Sequence, residues 1–183
     1  MSTTSRRVGY QGVNYELYQI LCSEHEALLR AAIHMKLISQ TDDLSHEHFV
    51  KLADASFIET KHAVISVLTA TCFLEGYIYF YATQFIDPDE YNDRINTLEF
   101  VDRWIEAPFI CQQITIRNNH PAINDLNELT KARNDIVHQK IKWMTIDNPK
   151  PPGVGTAARR FMCAAKKSKK TVDSLVALLK TPR

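Results

Sequence analysis

The stretch Lys131–Lys142, KARNDIVHQKIK, reads as the second half of a single helix, and that reading decides the fold class. It belongs to a longer segment, Pro121–Met144, with proline in the first turn and no interior glycine. Apolar Ile123, Leu126, Leu129, Ile136 and Val137 recur along it at helical spacing. Reading outward, the preceding Phe109–His120 is less regular. Before that, Tyr91–Glu106 forms one amphipathic segment with Ile95, Leu98, Val101, Trp104 and Ile105 on one side, ended by Pro108. The longest helical pattern runs over Ala53–Phe85 and breaks at Asp87-Pro88, because a residue before proline is pushed out of helical conformation. A first helix covers Asn14–Ile38, and Ser45 in the polar link SQTDDLSHEHF can cap the helix that follows. Downstream, DNPKPPGVG is a loop, and Thr156–Leu179 closes the chain with an apolar stripe of Val172, Leu175, Val176 and Leu179. No alternating strand pattern of useful length appears. The expected architecture is an all-α, up-and-down bundle of four to six helices, with residues 1–13 as a flexible lead and 14–183 as one domain.

Composition agrees with that class. Of 183 residues, 45% are hydrophobic and 23% charged, with only five glycines, which favours helices over a turn-rich β architecture. The net charge is +1, so no global basic field marks a nucleic-acid binder, and any RNA contact has to be local. The four cysteines, Cys22, Cys72, Cys111 and Cys163, form no C-x-x-C pair; they read as reduced thiols in a cytoplasmic protein. The N-terminus carries two arginines without an apolar run behind them, which argues against an export signal. Ala63–Ile86 is apolar enough to suggest a membrane, but it holds Glu75, Gln84 and several threonines and tyrosines. It reads as a buried central helix, and no membrane partner is expected.

The chemistry concentrates in Arg133-Asn134-Asp135-Ile136-Val137-His138. Five helical positions rotate the arginine and histidine about 140° apart, so they do not stack on one face. Asn134 and His138 are i and i+4 neighbours, and the amide can orient the imidazole. Histidine titrates near neutrality and can take or give the proton of a ribose 2′-hydroxyl. Arginine stays charged and offers a planar fork to phosphate oxygens. One helix provides one copy of each group; a symmetric homodimer would bring two of each around one phosphate.

LTKARNDIVHQK resembles the fourth-helix motif of the HEPN superfamily, R-x(4–6)-H with a polar residue after the arginine, at Arg133, Asn134 and His138. FLEGYIYFY around Glu75 resembles that family's long helix, and FVDRWIEAPFI the segment before its motif helix, so the likeness spans roughly residues 50–145. The resemblance implies a metal-independent endoribonuclease with its active site at a dimer interface. It also implies an RNA substrate, no cofactor, and a setting of toxin–antitoxin or anti-phage systems with an antitoxin or defence partner. Arg133 and His138 are then catalytic with Asn134 in support, Glu75 and Asp135 are supporting residues, and Lys131, Lys140 and Lys142 contact RNA. Members of the family that lack activity serve as interaction or RNA-binding bundles, which is the alternative for this chain. In toxins controlled by nucleotidylation a tyrosine follows the histidine by two positions; here Lys140 stands there.

Blander roles compete with each assignment. Arg133 can form a salt bridge with Asp135 or Glu128, and Glu75 can be a buried polar tie to Arg133. Lys166, Lys167, Lys169 and Lys170, with Arg159 and Arg160, read first as a solvated helix face and second as an RNA-backbone contact. Tyr77, Tyr79 and Tyr81 read as packing residues. His46-Glu47-His48 lacks the i, i+4 spacing that puts two histidines on one helix face, so no metal site is expected.

Overall fold

The structure is a computed structural model that describes residues 3–41, 45–138 and 154–180, with side chains from residue 12 in the first stretch and from residue 160 in the last. Six helices follow in order: α1 (Thr3–Ser39), α2 (His46–Ala82), α3 (Pro88–Arg94), α4 (Phe100–Gln112), α5 (Pro121–Val137) and α6 (Val154–Lys180). No strand occurs among the described residues, so the all-α expectation holds.

Helices α1 and α2 are 37 residues each, about 55 Å long, and form an antiparallel hairpin. Their contacts set the direction: Glu24 meets His62 at 2.7 Å, Tyr18 meets Phe73, and Asn14 meets Gly76. The expected cap forms, because Ser45 accepts a hydrogen bond from the His48 backbone N–H at 3.2 Å. Helix α2 is the central element and packs against α1, α4, α5 and α6. By length and composition it could cross a membrane, yet its Val67, Leu74 and Ile78 are buried here against protein. Leu21 and Leu28 of α1, Trp104 of α4, Leu126 and Leu129 of α5, and Val172 and Leu175 of α6 complete the core.

Several boundaries differ from expectation, and α2 itself runs over His46–Ala82 rather than Ala53–Phe85. Helix α1 begins at Thr3, ahead of the boundary expected near Asn14. The expected segment Tyr91–Glu106 is two helices, α3 and α4, with a turn over residues 95–98. Ile95, fully buried, anchors that turn, and Arg103 stabilises it by donating from Nε to the Leu98 carbonyl and from Nη2 to the Asn96 carbonyl. Pro108 does not end α4 but lies inside it, where burial of Trp104 and Ala107 offsets a penalty of about 3 kcal/mol. Helix α4 stops instead at Gln113, whose φ of 57° is left-handed and whose N–H returns to the Phe109 carbonyl. Helix α5 ends at Val137, after Asn134, Asp135, Ile136 and Val137, all weaker helix formers than alanine or leucine; residues 139–144 of the expected segment lie outside the described residues. Residues 147–153 of the expected loop lie outside the described residues; Val154 and Gly155 already belong to α6.

Two measurements test this packing. Leu74→Ala, at a site with no exposure, should cost about 2–5 kcal/mol in urea unfolding, whereas Phe57→Ala, at a site 72% exposed, should change stability by about 0.5 kcal/mol or less. His25 has its Nδ1 buried without a partner, and burial first, then the Lys169 charge, lowers its pKa below the ordinary 6.5. The unfolded chain therefore binds this proton more readily, so His25 costs stability as pH falls below 6.5. Comparing melting temperatures at pH 7.5 and 5.5, His25→Gln should show a smaller acid loss than wild type; equal losses would remove His25 as a cause.

Candidate functional site

Helix α5 carries the sequence motif and is fixed at its start and along one face. His120 caps it, Nδ1 accepting from the Ala122 N–H at 3.2 Å, and Pro121 occupies the first turn. Ala122, Ile123, Leu126, Leu129 and Ala132 are buried, at steps of three from Ile123 and of four from Ala122 to Leu126, which turns the next residue, Arg133, to the rim of the bundle. Arg133 is half-buried, Asn134 exposed, Asp135 half-buried, and His138 exposed as the residue that ends the helix.

Asn134 joins the two principal groups, though not as the spacing suggested. Its Oδ1 accepts from Arg133 Nη1 at 3.2 Å, and its backbone carbonyl accepts the His138 N–H at 2.8 Å. The amide thus positions the guanidinium, while the imidazole is held only through the backbone of the last turn.

The salt bridge expected for Arg133 does not form. Glu128 is taken by Lys131 at 2.8 Å and by Arg160 at 4.0 Å, and Asp135 has a buried Oδ2 with no hydrogen-bond partner. Among the described residues, no carboxylate neutralises Arg133. Its guanidinium has five N–H donors, of which the contact to Asn134 uses one, so it retains capacity for an oxyanion.

Glu75 is exposed on α2, so it is not a buried polar tie. The apolar side chains of α2 turn toward the core and leave this carboxylate in water, where it needs no partner. It is nevertheless brought toward the motif. Burial pushes the Cys72 thiol up, the Glu75 charge pushes it further in the same direction, and the Arg133 charge pulls it back. Cys72 therefore lies in the fields of both groups, and α2 and α5 present Glu75, Cys72 and Arg133 in one neighbourhood. From the sequence Cys72 reads only as one of four reduced thiols; its i, i+3 relation to Glu75 is the signal that links the two.

The proposed RNA-contacting lysines fare unequally. Lys131 is paired with Glu128, and Lys140 and Lys142 lie outside the described residues. The basic run of α6 is largely engaged: Lys166 meets Glu59 at 3.0 Å, Lys167 meets Asp125 at 3.0 Å, and Lys169 meets Asp173 at 2.6 Å. The first two of these pairs tie α6 to α2 and α5. Among the described residues, no three His, Cys, Asp or Glu side chains cluster closely enough to hold a metal ion.

No family model, curated protein or solved structure matches this chain.

The Cys72 environment can be read directly. In a Cys163→Ser background, alkylation of Cys72 near pH 8.5 should slow in Arg133→Gln and quicken in Glu75→Gln, because only the thiolate reacts. Identical rates in all three proteins would separate Cys72 from both charges.

Proposed function

We propose that this chain is a metal-independent endoribonuclease of the HEPN type, acting as a homodimer on cytoplasmic RNA. The observation that carries the reading is Arg133, half-buried in the last turn of α5 without a carboxylate partner among the described residues, with His138 exposed at the end of the same turn. A guanidinium free of carboxylates suits a phosphate, and an accessible imidazole suits proton transfer.

In the proposed reaction His138 of one copy removes the proton of a ribose 2′-hydroxyl, and the 2′-oxygen attacks the adjacent phosphorus. The phosphorus–5′-oxygen bond breaks as His138 of the second copy gives that oxygen a proton. Arg133 holds the non-bridging oxygens and stabilises the charge that builds on them, held in position by Asn134. The products are a 2′,3′-cyclic phosphate and a free 5′-hydroxyl, so the proton count balances without an added reagent. Val137, 52% exposed beside His138, offers an apolar contact for the second copy. The setting proposed with this activity is a toxin–antitoxin or anti-phage system.

A second reading, a non-catalytic helical interaction module, draws on a different observation. The hairpin of α1 and α2 leaves Ile33, Leu37, Phe49 and Phe57 exposed, more apolar surface than a ribonuclease site on α5 requires.

Structured and unstructured RNA incubated in EDTA decides between the two. Wild type should cleave accessible segments of both RNAs, with specific activity rising as protein concentration drives dimer formation. Arg133→Ala and His138→Ala should each lower the rate by about 100-fold or more. Three inert proteins favour the module, and cleavage that survives both substitutions assigns the activity elsewhere.

A further inference from the structure

The end of the hairpin where α1 hands over to α2 is built unlike the rest of the bundle. From Leu29 to Ser39 and from His46 to Asp54 no side chain is buried. Both arms nevertheless carry large apolar residues: Leu29, Ile33 and Leu37 on α1, and Phe49, Val50 and Phe57 on α2, each 42–72% exposed. Phe57 is the most exposed of all the large hydrophobic residues described. A helix in water gains most of its stability by covering an apolar face, and here the faces stand without a cover.

The apolar face on α2 reads the same in both directions. Phe49, Ala53 and Phe57 stand at i, i+4 and i+8, so they form one ridge along the helix. Val50 and Ser56 flank it, equally far in sequence from Ala53. Turning the helix end for end about Ala53 exchanges Phe49 with Phe57 and Val50 with Ser56. A twofold contact demands this property, because each copy must present the surface that fits itself. Ala53 at the centre is small enough to let two backbones approach, with a phenyl ring closing each side. The α1 ridge of Leu29, Ile33 and Leu37 is large at all three positions and lacks that central gap. Charge agrees with the symmetry. These five α2 residues and Thr60 are all exposed and include no Asp, Glu, Lys or Arg, so two copies meet without like-charge repulsion. The same neutrality gives a phosphate group nothing to hold.

We propose that a second copy of this chain docks on this face. The two α2 ridges lie antiparallel about Ala53, with Phe49 of each copy packed on Phe57 of the other. Taking about 200 Å² for a phenylalanine, the ridge and Val50 leave on the order of 350 Å² of open surface per copy. The pair then covers roughly 700 Å² from these residues, against about 1,200–2,000 Å² for a stable interface. His46 and Thr60, which the same pairing brings opposite each other, extend the contact at its ends. This size makes association concentration-dependent, with a dissociation constant in the micromolar range or weaker. The contact includes no residue of α5, so it is independent of the ribonuclease reading.

Sedimentation equilibrium of the full chain over about 1–500 μM tests this. The mass should rise from one copy toward two across that range. Phe49→Glu and Phe57→Glu each set two carboxylates against the contact and should weaken association about tenfold or more. Leu37→Glu, on the α1 ridge, should associate like wild type. Val137→Glu, which removes the apolar contact proposed on α5, should still reach two copies. Cross-linking reads the register. In a Cys72→Ser, Cys163→Ser background, Ala53→Cys meets itself across the twofold and should give a disulfide-linked dimer under mild oxidation. Leu37→Cys in the same background should stay monomeric. The cross-link keeps the test decisive even where a glutamate variant folds poorly. A one-copy mass at every concentration, with no Ala53→Cys dimer, overturns the proposal. So does a dimer that Leu37→Glu or Val137→Glu dissociates and Phe57→Glu does not.

Discussion

The burial of α2 among four other helices is the constraint on which the rest of the structure depends. Its apolar residues cannot be covered by one neighbour, so α1, α4, α5 and α6 each take part of its circumference. Burying Val67, Leu74 and Ile78 together yields several kcal/mol, enough to matter against a net folding free energy of about 5–15 kcal/mol. The same burial places every polar feature discussed above. Positions of α2 that turn away from the core carry Cys72 and Glu75, and positions facing α1 carry Gly76 and Phe73.

Two edges of the bundle follow from this arrangement, and their chemistry differs. At the end of α5, competition among charges decides what is available. Lys131 and Arg160 occupy Glu128, and Arg133 is left with a neutral amide. Arginine bound to an amide keeps its full charge, whereas arginine bound to a carboxylate would present a neutral pair to an incoming phosphate. Where α6 meets α1, competition runs the other way. Asp173 is satisfied twice over, by the Tyr18 hydroxyl and Lys169, which removes its charge as a recognition element.

Ion pairs between helices hold these edges in register more than they add stability. Lys166–Glu59 and Lys167–Asp125 join α6 to α2 and α5 at partly exposed positions, where each pair contributes about 1 kcal/mol or less. They flank the buried packing of Val172 and Leu175, which seats α6 against the rest of the bundle.

The sequence by itself determined that the chain is helical and where several of the helices begin or end. Periodic apolar residues, Ser45, Asp87-Pro88 and Pro121 act within a turn or two of their own position, so the chain displays them locally. It also displayed Arg133, Asn134 and His138 as a candidate edge, because residue type and spacing are both written there. The break at Ile95–Leu98 and the retention of Pro108 inside α4 were not legible. Arg103 bonds and the burial of Trp104 outweigh local propensity at those points. Partner choice was equally hidden: Glu128 could have taken Arg133, and Glu75 could have been buried. Only the tertiary structure decided those contests, and only it brought Asn14 against Gly76 across 62 positions of chain. Periodicity is a property of one helix, whereas the choice among several nearby charges or amides depends on distances that exist only once the helices have packed.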